Sequence, residues 1–504
     1  MKKIFSVRNL PVFLILLLSL ILRLYKAEEL FIFSGDEEHQ LSLAYSVYND
    51  FHLEWVGVSS ADTGFYLGPF WIYFSALWLF LGKGSLMFIP YIPPIIGTLT
   101  TSAIFITARK MFKQKVALMS SFLYAVLPLT VFYDKKFWNP TPTSLSTILL
   151  LLFLFLTKRA KTWWIAVFAV FGFAFHVHLS VLPFGIIIAY LFLKDFRRIN
   201  LKIKALSVSL FLLLISSILA FDFFTKGTNT KTPQRLIQQI KERPDRFQPI
   251  DHIQNLTRSL SRLWYIPPNS EISDQLLHSC NPNLTTSVIG GGEATSYENS
   301  NIIFVIIPVI SFFWLFSRKE NFKKFSVKLL MSFIAISVIS YIFLPNIALE
   351  YYLFTFFPIS LIALSYFWSK QKGFCKIILN VFIILTAILA IFSDLTVKSE
   401  FGFKNKALLV KEVSSYLQNE KYELSGFGLC HRHEGWRLLS GIYGKLPERS
   451  DVDKTLGWIY KDEITDLPVD YGVVYAESRA GYAPKHNLVK KFTSGGLDAY
   501  VYKN

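Results

Sequence analysis

Residues 10–40 read LPVFLILLLSLILRLYKAEELFIFSGDEEHQ, and the change of character inside that stretch decides the fold. The run from Leu10 to Leu24 is long and apolar, and Lys2, Lys3 and Arg8 precede it. No small-x-small cleavage site follows, so it is expected to be an uncleaved first span rather than a signal peptide. The acids Asp36, Glu37 and Glu38 stand together just beyond it.

The rest of the chain repeats the theme. Of 504 residues, 52% are hydrophobic and only 17% charged, against about a quarter charged in soluble chains. That excludes a soluble enzyme and a disordered scaffold. The net charge of +17 does not point to nucleic acid, because Lys and Arg lie mostly between apolar runs, where they act as topology signals. Three cysteines, Cys280, Cys375 and Cys430, give neither a disulfide framework nor metal-knuckle spacing.

A crossing helix needs about 20 apolar residues. Eleven crossings are expected, near 9–26, 87–108, 116–133, 141–157, 162–176, 179–194, 203–222, 300–316, 327–344, 349–368 and 375–392. Basic clusters at 2–8, 109–115, 158–161, 194–204, 318–328 and 370–376 then share one side, and loop 27–67, without Lys or Arg, faces the other. Positive-inside bias makes the N-terminus cytoplasmic and the protein a multi-pass protein of the cell membrane. The segment GPFWIYFSALWLFLG (68–82) is too short to cross easily. It is expected to pack on the outer side of the bundle; as a true crossing it would invert every later loop.

Two organisational units follow. Residues 1–392 form the membrane domain, with outer loops at 27–86 and 223–299. Residues 393–504 form a small extracytoplasmic C-terminal domain, α/β or α+β, with strand-like YGVVYA (471–476) and LDAYVYK (497–503) and a charged helical stretch at 411–421.

The outer turns hold the candidate chemistry. Asp36 and Glu37 serve either as solvated loop charge or as carboxylates able to take a hydroxyl proton. His39, three residues from Asp36, gives a weak metal pair without an identifiable third ligand. His52, Glu54, Trp55, Asp62 and Tyr66 suit either a sugar or a membrane interface. In YDKKFWNPTPT (133–143), Asp134, Lys135, Lys136 and Asn139 crowd one short turn. Its lysines oppose the positive-inside bias, so an anionic phosphate or the nearby acids would compensate them. Asn139–Pro140 has the form of a helix start, with Asn as cap. His176 and His178 lie near a span end, for a structural hydrogen bond or a ligand contact. Glu350, Tyr351 and Tyr352 form an interfacial aromatic group or part of the same outer site.

The long loop carries Lys241, Arg243, Arg246, His252, Arg258 and Arg262, which are solvated charge or cations for a phosphate. Asn255 and Asn283 open Asn-x-Thr sequons. Cys280 and Cys430 are both outer and able to pair in principle, and CHRHE (430–434) has no companion metal cluster.

These motifs and their order resemble the C-type membrane glycosyltransferases, notably the bacterial protein O-mannosyltransferase-like and aminoarabinose-transferase-like proteins of family 39. The resemblance covers about 1–392. It rests on Asp36–Glu37 beyond the first span, on GPFWIYFSALWLFLG, on KKFWNP (135–140) and on EYYLFTFFP (350–358). It implies an all-α polytopic bundle of about 11 transmembrane helices (11–13). Asp36 would be the catalytic carboxylate and Glu37 its adjacent acid. Lys135 or Lys136 would stand near a lipid phosphate, with Asp134, Asn139, His176, His178, Glu350 and Tyr352 as further substrate or lipid-phosphate contacts. Asn139 stands where relatives often carry Asp, so that carboxylate is absent or replaced by Asp134.

The activity implied is transfer of a sugar from a polyprenyl-phosphate donor to a hydroxyl of a lipid, glycan or protein acceptor, with inversion. No cofactor is certain, and a divalent metal is left open. Rival readings are a polymerase or ligase using a diphosphate-linked glycan, a transporter, and a structural or sensory membrane protein.

Overall fold

The computed structural model describes residues 10–31, 33, 35–60, 63–242, 248–266, 301–344, 349–427, 435–450 and 468–504. The sequence calls on Lys2, Lys3, Arg8, Asp62, Arg243, Arg246, Cys280, Asn283 and 430–434 lie outside the described residues.

The first half contains α1 (Leu10–Leu24), α2 (Ala27–Leu30), α3 (Gly35–Asp50), α4 (Phe70–Leu81), α5 (Ile92–Met111), α6 (Gln114–Val126), α7 (Pro128–Tyr133), α8 (Thr143–Leu156), α9 (Trp163–Ala174), α10 (Gly185–Asp195) and α11 (Leu201–Phe224). After it come α12 (Thr232–Glu242), α13 (Pro249–Trp264), α14 (Ile302–Ser317), α15 (Phe325–Ile342), α16 (Phe357–Lys370) and α17 (Gly373–Thr396). The C-terminal part holds α18 (Phe403–Leu417), β1 (Tyr422–Phe427), α19 (Trp436–Tyr443), β2 (Arg449–Ser450), β3 (Tyr471–Glu477), β4 (Leu488–Ser494) and β5 (Leu497–Lys503).

Among the described residues, five helices are long and apolar enough to cross a membrane: Leu86–Met111, Leu179–Arg198, Leu201–Phe224, Phe325–Ile342 and Gly373–Thr396. Shorter apolar helices are Leu10–Leu24, Phe70–Leu81, Thr143–Leu156, Trp163–Ala174 and Ile302–Ser317. The expected count of eleven therefore does not follow from helix length. One physical reason is proline. The run expected at 116–133 breaks at Leu127, which is extended (φ −71°, ψ 132°) because Pro128 follows. The runs at 87–108, 179–194 and 349–368 each begin with a 3-10 turn, at Leu86–Tyr91, Leu179–Phe184 and Glu350–Thr355. Local caps fix other starts: the side chains of Asn200 and Asn301 accept from Ile203 N and Ile303 N at 2.8 and 3.1 Å.

The bundle core joins α5, α6, α8, α9, α15 and α16 through residues such as Ile104, Leu123, Leu151, Val167, Phe333 and Ile362. Leu213 and Phe223 of α11 and Ile384 and Ile388 of α17 are exposed, as lipid-facing side chains are. Basic turns gather at one end, where Lys161 and Lys158 reach Asp195 at 2.5 and 3.6 Å.

A second core binds the opposite end. Phe31, Phe33 and Leu41 pack with Trp71, Ile72 and Leu79 of α4 and with Leu409, Val410 and Trp436 of the C-terminal domain. At 12 residues α4 is about 18 Å long, short of a hydrocarbon core of about 30 Å. Its partners are α3 and this end of the bundle, with Trp71 against Phe137 at 4.9 Å.

The C-terminal domain is one five-stranded sheet in the order β2-β1-β3-β5-β4. β1 pairs in parallel with β2 and β3, while β5 pairs antiparallel with β3 and β4. The strand-like runs at 471–476 and 497–503 are β3 and β5, and the helical stretch is α18, which starts before the charged cluster.

Candidate active site

α3 begins at Gly35, so Asp36, Glu37 and Glu38 fill its first turn, where the unpaired N–H groups favour negative charge. The same placement sends the acids in different directions. Asp36 is exposed, and among the described residues no cation lies within ion-pair distance of it. Its charge acts on the half-buried Tyr351. Glu37 is fully buried, and its Oε1 lies 3.8 Å from Lys136 Nζ. Glu38, also fully buried, turns to the C-terminal domain and accepts from Gly435 N (2.7 Å) and Leu438 N (3.1 Å).

The turn after α7 separates its four polar residues. Lys136 lies over the Trp138 ring at 4.0 Å while facing Glu37. Lys135 is buried and donates to Tyr25 O at 2.9 Å. Burial, ahead of the opposing charge of Asp394, lowers its ammonium pKa. Asp134 does not compensate the lysines. It pairs with Arg23 of α1, Nε to Oδ2 at 2.8 Å, and Arg23 also donates to Ser19 Oγ, Ala125 O and Tyr124 O at 2.9–3.0 Å. Gly97 permits that closeness, since a Cβ there would sit 2.4 Å from Asp134 Oδ2.

Asn139 is not a helix cap. α8 starts at Thr143, behind Pro142. The Asn139 amide instead accepts from Gln40 Nε2 (2.8 Å) and donates to Val177 O (2.7 Å), while its backbone N–H donates to Gln40 Oε1 (3.1 Å). It ties α3, the 134–142 turn and the 175–178 turn together.

The two histidines diverge. His176 Nε2 donates to Leu214 O at 2.7 Å, leaving Nδ1 to accept from Phe70 N at 3.4 Å. His178 Nδ1 accepts from Ser180 Oγ (2.7 Å) and Ser180 N (3.3 Å). Burial pushes its pKa down to about 4, so it is neutral at pH 7. Its ring lies 5.4 Å from that of Tyr352. Glu350 is buried, accepts from Tyr133 OH at 2.9 Å, and pairs with Arg262 of α13 at 3.4 Å.

Two further long-loop residues lie inside the fold. His252 is buried, and Asn255 Nδ2 donates to Tyr341 OH at 2.6 Å, so the sequon asparagine lies inside the fold. Trp55 and Tyr66 pack on Phe224 and Phe221 at the end of α11, at 6.1 and 5.1 Å. His52 and Glu54 face each other at 3.9 Å. Among the described residues no three His, Cys, Asp or Glu side chains gather as a metal site, so Asp36 and His39 lack a third ligand there.

His178 and Tyr352, two of the expected contacts, line a cavity of about 640 Å³ whose other lining residues the sequence did not single out. His178, Ser180, Tyr341, Tyr352 and Thr355 give it polar groups, and Leu179, Ile336, Ile339, Phe343 and Leu344 give it an apolar wall. Ile186, Ile339 and Phe343 of that lining are exposed on the outer face of the bundle, so the cavity opens sideways. Tyr351 stacks edge-on with Tyr352 at 4.6 Å and links the Asp36 side to the cavity.

The fold is similar to that of solved membrane glycosyltransferases, the class whose motifs the sequence resembles. Residues 67–221 match the family model described as dolichyl-phosphate-mannose-protein mannosyltransferase. ArnT of Cupriavidus metallidurans, in a structure bound to undecaprenyl phosphate, is similar with a TM-score of 0.61 at 11% identity, over 98% of each chain. The oligosaccharyltransferase of Archaeoglobus fulgidus, tethered with an acceptor peptide, is similar with a TM-score of 0.52 at 13% identity, over 94% of this chain and 70% of that one. The archaeal oligosaccharyltransferase AglB from Archaeoglobus fulgidus, in complex with an inhibitory peptide and a dolichol-phosphate, gives a TM-score of 0.52 at 13% identity, over 92% of this chain and 69% of that one. No curated protein matches the sequence.

Proposed function

We propose that the protein transfers a sugar from a polyprenyl-phosphate donor to an acceptor hydroxyl, at the end of the bundle that carries the C-terminal domain. The observation that carries this reading is that Lys136, held by Glu37 and Trp138, reaches the Tyr351–Tyr352 pair through Trp138 (4.6 Å from Tyr351), while the charge of the exposed Asp36 acts on Tyr351 and Tyr352 lines the adjoining cavity. The lipid phosphates named with ArnT and AglB support a donor of that chemistry.

The lipid tail lies along the apolar wall of the cavity, and the phosphate rests near Lys136. An acceptor hydroxyl attacks the anomeric carbon, its proton passes to the Asp36 carboxylate, and the carbon–oxygen bond to phosphate breaks. The departing polyprenyl monophosphate carries the bonding pair, and Lys136 offsets the charge growing on it. One displacement inverts the sugar centre. The donor-side turns face the extracytoplasmic side of the cell membrane, following the basic turns at the other end.

The test is transfer from an undecaprenyl-phosphate sugar by folded Asp36→Asn protein. A fall in kcat of about 10²–10⁴ is expected. Full activity would remove Asp36 from the mechanism, and release of a diphosphate would favour a polymerase or ligase.

A further inference from the structure

A second cavity, of about 620 Å³, lies away from the first, between the C-terminal half of α3, the 83–85 turn and α19. Its chemistry differs from that of the apolar cavity. Tyr45, Tyr48 and Tyr443 line it with Asn49, Asp50 and Lys83. Tyr45 and Tyr48 are three apart and share a face of α3, with rings 6.1 Å apart. Tyr45 OH donates to Gly84 O, which pins the turn. Gly84 holds φ +81°, and a Cβ there would lie 3.3 Å from the Tyr48 ring. Asn49, Asp50 and Lys83 are exposed at the rim.

Resting on the transferase reading above, we infer that this cavity binds a hexose unit of an oligosaccharide acceptor. Tyrosine rings offer flat faces to the C–H side of a pyranose. An amide, a carboxylate and an ammonium beside them offer donors and acceptors for adjacent hydroxyls. A lipid tail would leave those polar groups unmatched. An extended peptide is commonly held along a sheet edge, whereas helix faces and a turn line this cavity, with the Gly84 carbonyl already used by Tyr45. Asp36 and Tyr48 stand twelve positions apart on α3, about 18 Å at helical rise. The unit held here is therefore not the reacting sugar but a more distant one, so the acceptor is a chain of several sugars.

Saturation-transfer NMR on the full chain in detergent tests this. The probes are mannotriose, cellotriose and chitotriose, with free mannose and a Ser/Thr-rich octapeptide for comparison. At least one trisaccharide is expected to bind. Tyr48→Ala and Asp50→Ala each weaken it about tenfold, while Tyr48→Phe, which keeps the ring, retains binding. Undecaprenyl-phosphate binding is unchanged in all three variants. Binding of no trisaccharide, binding indifferent to these substitutions, or preference for the peptide would overturn the inference. A chain that binds a trisaccharide this way yet transfers nothing would keep the sugar site and remove the transferase reading. A chain that transfers sugar but captures only peptide would do the reverse.

Discussion

Lys136 Nζ lies 3.8 Å from the fully buried Glu37 carboxylate and 4.0 Å from the Trp138 ring centre. A carboxylate and an aromatic face together hold the ammonium in one place without using all three of its N–H groups. On the proposed transferase reading, this leaves the cation placed for an arriving phosphate.

Replacing Lys136 by Met keeps the stem over Trp138 and removes the charge. A charge-assisted hydrogen bond contributes about 1.5–3 kcal/mol, so the donor KM is expected to rise about ten- to a hundredfold. Lys136→Arg restores part of it. Kinetics at varied donor concentration read this directly, and an unchanged KM in the Met variant would place the phosphate elsewhere.

Arg23 and Asp134 form a different kind of pair. Both are buried, and the guanidinium is further held by Ser19 and two backbone carbonyls. Arg23→Met strands the carboxylate and is expected to cost about 3–5 kcal/mol. The double variant Arg23→Met/Asp134→Leu recovers much of that loss. Gly97→Ala forces a methyl group into the pair and costs about 1–3 kcal/mol. Thermal unfolding in detergent gives the order: both single variants below wild type, and the double variant above Arg23→Met. Equal melting of all four would mean that the pair does not hold α1 to the 134 turn.

Much of this architecture was legible because its causes are local. Apolar runs are signalled by composition, β3 and β5 by short β-branched and aromatic runs, and the resemblance by short motifs in order. What stayed hidden depends on tertiary contact. Nothing near Asp134 in sequence announces Arg23, 111 residues away. Asn139 looked like a cap because Asn–Pro often starts a helix, but Gln40 and Val177 offered its amide better-paired buried partners. Helix length does not by itself confirm the eleven-span count, because Pro128 and the 3-10 turns shorten helices inside runs that hydropathy reads as continuous. Of three adjacent acids, sequence could not say that one would be exposed, one face a lysine and one anchor a domain.

That anchor is Glu38. Its carboxylate accepts from Gly435 N and Leu438 N, the cap and third positions of α19, so a residue 397 positions upstream serves as the helix cap. Glu38→Ala is expected to cost about 1–3 kcal/mol and loosen the C-terminal domain from α3. Limited trypsinolysis at the exposed Lys398, between α17 and α18, should then speed up while cleavage elsewhere does not. If Lys398 were cut at the wild-type rate, the cap would not be what seats the domain.

The sheet also carries an acid-sensitive joint. Asp498 on β5 is buried, which by itself raises its pKa. The hydroxyl of Thr493 (2.7 Å) and the ammonium of Lys491 (3.0 Å) on β4 outweigh that and leave it below the ordinary 3.8. A carboxylate whose folded pKa is depressed adds stability that is fully present above its unfolded value and is lost as the pH falls through the folded one. The β4–β5 pairing is therefore expected to hold its strength down to about pH 4 and weaken below it. Asp498→Asn removes that step and lowers stability at neutral pH instead. Hydrogen exchange of the β4–β5 amides across pH 2–6, corrected for intrinsic rates, separates the two. Identical pH profiles for wild type and Asp498→Asn would show that the joint titrates elsewhere.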